Sequence, residues 1–154
     1  MHSNNQYIRL AAMTVLSFIS MYIFMYAMVD RFANVYPSIN QFYMAALMTA
    51  PMVIIELLLM GGMYENKKAN FAIIAASAIA AIGFFALIRG QVGIGDRQFL
   101  KSMIPHHSGA ILMCEQAKIS DASIKELCRN IIVSQQQEVA DMTARLQALD
   151  KGTP

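Results

Sequence analysis

Three apolar runs of bilayer length fill most of the first 92 residues and leave the chain few ways to fold. They are Leu10–Val29, Phe42–Met63 and Ala69–Ile88. Each holds about 20 residues, enough for a helix to cross a hydrocarbon core of ~30 Å. Inside lipid an unpaired backbone amide finds no water, so such runs fold as helices that close their own hydrogen bonds. The first run is too long for the apolar part of a signal peptide, and no small-x-small cleavage pattern follows it. It reads as a retained helix.

The rest of the chain has a different character. Overall, 56% of residues are hydrophobic and 14% charged, which is too apolar for an ordinary soluble domain. Residues 1–92 carry five Lys/Arg and three Asp/Glu, whereas residues 93–154 carry seven of each. The chain therefore divides into a three-helix transmembrane region, 1–92, and a soluble region, 93–154. No cluster of positive charge offers a surface for nucleic acid. In the third run Ala72, Ala76 and Ala80 recur every four positions, with Ser77, Ala81 and Gly83 nearby. Small residues at that spacing let helix backbones approach closely in lipid.

With three spans, the N-terminus and the second loop share one side of the membrane. That side carries Arg9, Lys67 and Lys68, and the other carries Arg31, Arg89, Arg97 and Lys101. The counts nearly balance. The short "ENKK" loop, residues 65–68, decides the orientation, because short positive loops stay inside. The soluble region then lies outside, which in a bacterium means an inner-membrane protein with a periplasmic tail.

The soluble region reads as an antiparallel helical hairpin. Gly90, Gly93 and Gly95 interrupt the helical pattern, and Asp96 looks like an N-cap. One helix is expected over Arg97–Lys118, with Pro105 kinking or restarting it. "SDAS" at 120–123 supplies the next cap, for a helix over Ala122–Leu149. A short linker makes the two antiparallel neighbours. Phe99, Met103, His107, Ala110, Cys114 and Ala117 form one stripe, with His106 and Met113 in a second row beside it. On the other helix Ile124, Cys128, Ile131, Gln135, Val139, Met142 and Leu146 share a face, with Glu138 at its edge. If the turn centres near 119–120, Gln135 faces His106 and His107, and Glu138 falls near Met103. The fold class is therefore all-α. Such a hairpin exposes apolar surface and is too small to stand alone. Two hairpins pairing into a four-helix bundle, in a homodimer or higher homo-oligomer, would cover that surface.

The stretch "MIPHHSGAILMC", residues 103–114, holds two of the three histidines beside soft sulfur. Thioether, thiolate and imidazole favour Cu(I) over Mg or Ca. Zinc is less favoured, because paired CxxC spacing is absent. The candidate ligands are Met103, His106, His107, Met113 and Cys114, with Gln135 and Glu138 behind them to accept the second imidazole N–H. Neighbouring histidines point about 100° apart on a helix, so one serves as ligand and the other as hydrogen-bonding partner. Methionines at helical spacing also serve as core filler. Cys114 and Cys128 read as core residues first, ligands second, and as a disulfide only if the tail faces an oxidising compartment.

Two segments, "DRQFLKSMIPHHSGAILM" and "IIVSQQQEVADM", together resemble the family called domain of unknown function 305. The shared signature is Met103, Ile104, His106, His107, Ala110 and Met113, then Gln135, Glu138 and Met142, over roughly 95–150. The resemblance implies a helical bundle related to ferritin-like folds. It also implies copper or silver handling, as in some periplasmic members, with Met103, His106, His107, Met113 and Met142 as carried-over ligands. The three membrane helices, the single short copy of the motif and the two cysteines depart from better-known members.

In the spans, Met44, Met48, Met52, Glu56, Met60 and Met63 recur mostly every four residues, with Glu56 near mid-span. A path for Cu(I) along Met48, Met52 and Glu56 competes with the plainer reading of apolar filler and a structural carboxyl. The leading expectation is a membrane-anchored protein that binds Cu(I), or Ag(I), for sequestration, storage or delivery. The rival is an oligomeric scaffold whose histidines are structural. Catalysis is not expected, since no nucleophile–base pair, phosphate loop or HExxH motif is present.

Overall fold

A computed structural model describes residues 2–152, which form helices and turns with no strand among them. The helices are α1 (His2–Phe24), α2 (Ile39–Leu59), α3 (Lys67–Arg89), α4 (Asp96–Gln116) and α5 (Ala122–Asp150). Between α1 and α2 lie two short 3₁₀ turns, Met25–Met28 and Phe32–Asn34. The chain forms two compact units. One comprises the residues up to 24 together with 40–92, and the other comprises 25–39 together with the chain from 93 onward. Hydropathy alone does not reveal that the segment 25–39 belongs with the tail.

The first unit holds most of three stretches long and apolar enough to cross a membrane, Asn5–Met28, Ile39–Leu59 and Lys67–Arg89. Leu10, Val53, Leu57 and Tyr64 form its core, with Tyr7, Met13, Met52, Ile73 and Ile74 packed around them. An edge-on aromatic run adds Phe18 against Phe42 at 5.1 Å and Phe42 against Phe84 at 6.3 Å between ring centroids. Asn66 caps α3 by accepting the Ala69 amide at 3.0 Å.

The second span ends earlier than its hydropathy does. A Cβ on Gly61 would come within 2.9 Å of the Leu57 carbonyl, and the helix stops at Leu59. Glu56 therefore lies in the last turn of α2, not near mid-span as the apolar run suggests. The Tyr64 hydroxyl donates to its Oε1 at 3.3 Å. Nor do the methionines line up. Met52 packs on the core, while Met48 remains 45% exposed.

The second unit is built on the α4–α5 hairpin. Its helices run antiparallel: Arg97 at the start of α4 donates to the Leu149 carbonyl at 2.9 Å and pairs with Asp150 at 3.2 Å. At the other end Cys114 is bonded to Cys128. Asp121 caps α5, its Oδ1 accepting the amides of Ser123 and Ile124. Gly95 is the N-cap of α4, so Asp96 is its first helical residue, where an acidic side chain favours the positive end of the helix dipole. Pro105 lies inside an unbroken α4.

The buried face of α4 differs from the expected stripe. Leu100, Ile104 and Ile111 pack with Val139 and Leu146, with Tyr36 and Met142 against them. Phe99 and Ala117 are exposed, and Met103, His107, Ala110 and Cys114 are half-buried. The cause is the segment 25–39, which covers the side of α4 that holds Ser108. Gly109 faces the Met28 carbonyl, which would lie 3.4 Å from a Cβ there, at ordinary contact distance. The Ile39 amide donates to Gln98 Oε1 at 3.0 Å, and the Tyr26 hydroxyl donates to the Tyr36 carbonyl at 2.9 Å.

Candidate metal centre

Asp30 and Ser108 fix α4 from one side. Both are buried, and their bonds are reciprocal. Ser108 Oγ donates to Asp30 Oδ1 at 2.5 Å and accepts the Asp30 amide at 2.9 Å. Asn34 Nδ2 and the Arg31 amide, both at 2.7 Å, also donate to Oδ1, and Arg31 Nε pairs with Oδ2 at 3.1 Å. Burial by itself would raise the carboxyl pKa. The hydrogen bonds from Ser108, Asn34 and Arg31 outweigh it and hold the group below the ordinary carboxylate value. This network anchors the helical turn that carries both histidines. Sequence reading missed it. The available signal was a single acid, Asp30, in an apolar connecting loop, and one hydroxyl, Ser108, in an aliphatic row.

The histidines part company as their spacing requires. Their ring centroids stand 5.9 Å apart at an interplanar angle of 60°. His106 is exposed, whereas the His107 side chain is 17% exposed and turns toward α5. There His107 Nδ1 lies 2.8 Å from Glu138 Oε2. The distance suits a hydrogen bond, but the ring N–H is not aligned on the oxygen, so Nδ1 has contact without a well-formed bond. Glu138 is held in turn by Ser134 Oγ at 3.0 Å and by Gln135 Nε2 at 3.3 Å. Gln135 thus bonds to its own helix, not to a histidine.

Glu138 faces His107, not Met103, which moves the hairpin register by about one turn from the symmetric expectation. One turn toward the open end of the hairpin, Met103 and Met142 come level with each other, both half-buried. The expected ligands therefore fall into two groups. His107 meets Glu138, with Met103 one turn before it on α4 and Met142 one turn after Glu138 on α5, while His106 is exposed. Met113 and Cys114 belong two turns away, and Met113 is 52% exposed.

Cys114 and Cys128 form a disulfide with Cα atoms 5.3 Å apart. This corrects the expectation of core packing first and ligation second. In the disulfide Cys114 offers no thiolate to a metal.

Among the described residues no group of three or more His, Cys, Asp and Glu side chains converges as a metal cage. What the hairpin presents is one imidazole against a carboxylate, with one thioether a turn away on each helix. If Nδ1 carries the proton toward Glu138, Nε2 keeps its lone pair for a ligand. Donors of that kind suit a soft cation of low coordination number.

The fold and this cluster define a membrane-spanning type of helical protein that displays a His–Glu helical hairpin. Residues 86–146, the end of α3 and most of the α4–α5 hairpin, match the model of the family described as Domain of unknown function (DUF305). It is similar to an uncharacterized protein of Acanthamoeba polyphaga mimivirus, 35% identical over 146 residues, which are 93% of each chain. An alignment of that length takes in both units. No solved structure matches the chain.

Proposed function

We propose that this protein is a membrane-anchored binder of a soft monovalent ion, Cu(I) or Ag(I), serving sequestration, storage or delivery. The observation that carries this reading is Glu138 behind His107 Nδ1, with Met103 and Met142 level with each other one turn away. A carboxylate on one imidazole nitrogen orients the other toward a ligand, and two thioethers supply soft partners. Zinc fits less well, since it takes four ligands in a structural site. The disulfide supports an oxidising compartment for the tail. That agrees with Lys67 and Lys68 on the inner side, and in a bacterial host the tail would lie in the periplasm.

A rival reading is an oligomeric scaffold in which the His107–Glu138 pair is structural. It is favoured by the exposed Phe99, Leu127 and Val133 on the hairpin. The two readings separate on anaerobic Cu(I) titration of the full chain in detergent against a competing chelator. Metal binding predicts that His107→Ala loses most of the affinity, about tenfold or more. Glu138→Gln should lose about 10–100-fold, as outer partners of metal-bound histidines do. His106→Ala should lose less. Wild-type affinity in the His107→Ala protein would rule out this site.

A further inference from the structure

The half-buried Cys114–Cys128 pair lies apart from the His107 cluster and from the hairpin core. The core runs from Leu100 to Ile111 on α4 and from Val139 to Leu146 on α5. The cysteines lie beyond it, toward the linker, where Glu115, Gln116, Ala117, Leu127 and Arg129 are exposed around them. The turn they close is already ordered by Asp121, which accepts the amides of Ser123 and Ile124 and the Ser123 hydroxyl. Both cysteines keep partial exposure and neither belongs to the buried core, so an attacking thiolate has a side to approach from and opening the bond removes no residue of that core.

We propose that Cys114 and Cys128 form a second, redox-gated site that takes one Cu(I) or Ag(I) between two thiolates when the disulfide is reduced. The reductant is a dithiol. One of its thiolates attacks a cystine sulfur to form a mixed disulfide, and its second thiolate resolves that bond. The dithiol leaves oxidised by two electrons, and Cys114 and Cys128 are left as thiols. On binding, the two thiols lose two protons and the cation is held as a bis-thiolate. Copper stays in the +1 state throughout, so no other oxidant or reductant enters.

The geometry suits two-coordinate binding. Two thiolates sharing one ion stand about 4.6 Å apart, taking a metal–sulfur bond of ~2.3 Å. The Cα separation of 5.3 Å reaches that spacing by rotation about the side-chain bonds, without moving either helix. The surroundings also select the ion. Among the described residues no third or fourth His, Asp or Glu joins the cysteines, so an ion that needs four ligands is poorly served. The nearby side chains that add no competing donor are apolar: Ile124 and Leu127. A monovalent soft ion is content with two thiolates.

The test uses the full chain in detergent, oxidised or reduced with a dithiol that is then removed anaerobically. Cu(I) is titrated against a chelator, and free thiols are counted by alkylation. The reduced protein should bind one more equivalent than the oxidised protein. That equivalent should protect both thiols from alkylation, whereas Zn²⁺ at the same concentration should not. The Cys114→Ser/Cys128→Ser protein should bind the same amount with or without dithiol. His107→Ala should keep the extra equivalent, which separates this site from the His107 cluster. Equal binding by oxidised and reduced wild type, or thiols left unprotected by Cu(I), would overturn the proposal. The protection readout needs no variant, so a folding defect in the serine protein would not blunt it.

Discussion

Asp30 does more for the candidate centre than its place in a connecting loop suggests. It is nearly sealed from solvent, 4% exposed at the side chain, and it accepts four hydrogen bonds or ion-pair contacts. Its carboxyl is held below the ordinary value, so the folded state binds this proton less readily than the unfolded chain does. The stabilisation is complete above the ordinary Asp value of about 3.9, and it is lost as pH falls through the depressed one. Asp30→Asn should therefore remove part of the acid sensitivity of the second unit. At neutral pH it should cost about 2 kcal/mol, the scale of hydrogen bonds to a charged group. Thermal unfolding in detergent, followed from neutral pH to about pH 3, measures both. An unchanged acid profile in the variant would show that Asp30 is not the titrating group. His107 illustrates what residue patterns can and cannot show. That one of two adjacent histidines faces the partner helix follows from the ~100° turn per residue. Which one does so depends on burial by a segment far away in sequence.

Among the elements, α4 carries most of the information and most of the surprises. Its existence, the cap of α5 at Asp121 and the antiparallel pairing were legible from glycines, polar caps and a short linker. The register was not. Ala117 and Asp121 are both extended, with ψ near 130°, so the linker spans more axial distance than a compact turn. Glu138 consequently meets His107, and Cys114 meets Cys128. The buried stripe was also hidden, because two adjacent rows of α4 are apolar. Only the cover supplied by 25–39 decides that Leu100, Ile104 and Ile111 go inside. Gly109 tests that cover. Alanine there meets the Met28 carbonyl at ordinary contact distance and gains helix propensity of up to about 1 kcal/mol. Gly109→Ala should thus hold or raise stability. Gly109→Leu should displace the segment and lower the midpoint of thermal unfolding by several degrees, about 1–3 kcal/mol for overpacking. Equal stability of the two variants would mean that the segment does not pack closely on α4.

For the whole molecule, the three apolar helices were plain from hydropathy, although their ends were not. Gly61 stops α2 before the hydrophobic run ends, and that carries Glu56 to the edge of the span. Two helices long and apolar enough to span a membrane, α2 and α3, separate residues 25–39 from the chain after 93, and an even number of spans is what a single folded unit made of both requires. The proposed orientation puts the tail outside, so an impermeant amine reagent added to intact cells should modify Lys118 and Lys125. Lys67 and Lys68 should react only after the membrane is opened. The reverse pattern would invert the orientation. Exposed Phe99, Leu127 and Val133 give the hairpin apolar surface that a second copy can cover. Light scattering in detergent should accordingly return a dimer or larger, and a uniform monomer would leave that face to lipid or another partner. The membership of 25–39 in the second unit also bears on how this protein can be handled. A recombinant fragment begun at Gly93 would cut through a folded body, strip one wall from Ile104 and orphan the Ser108 hydroxyl. Metal titrations on such an excised piece would report on a different object from the one the cell makes.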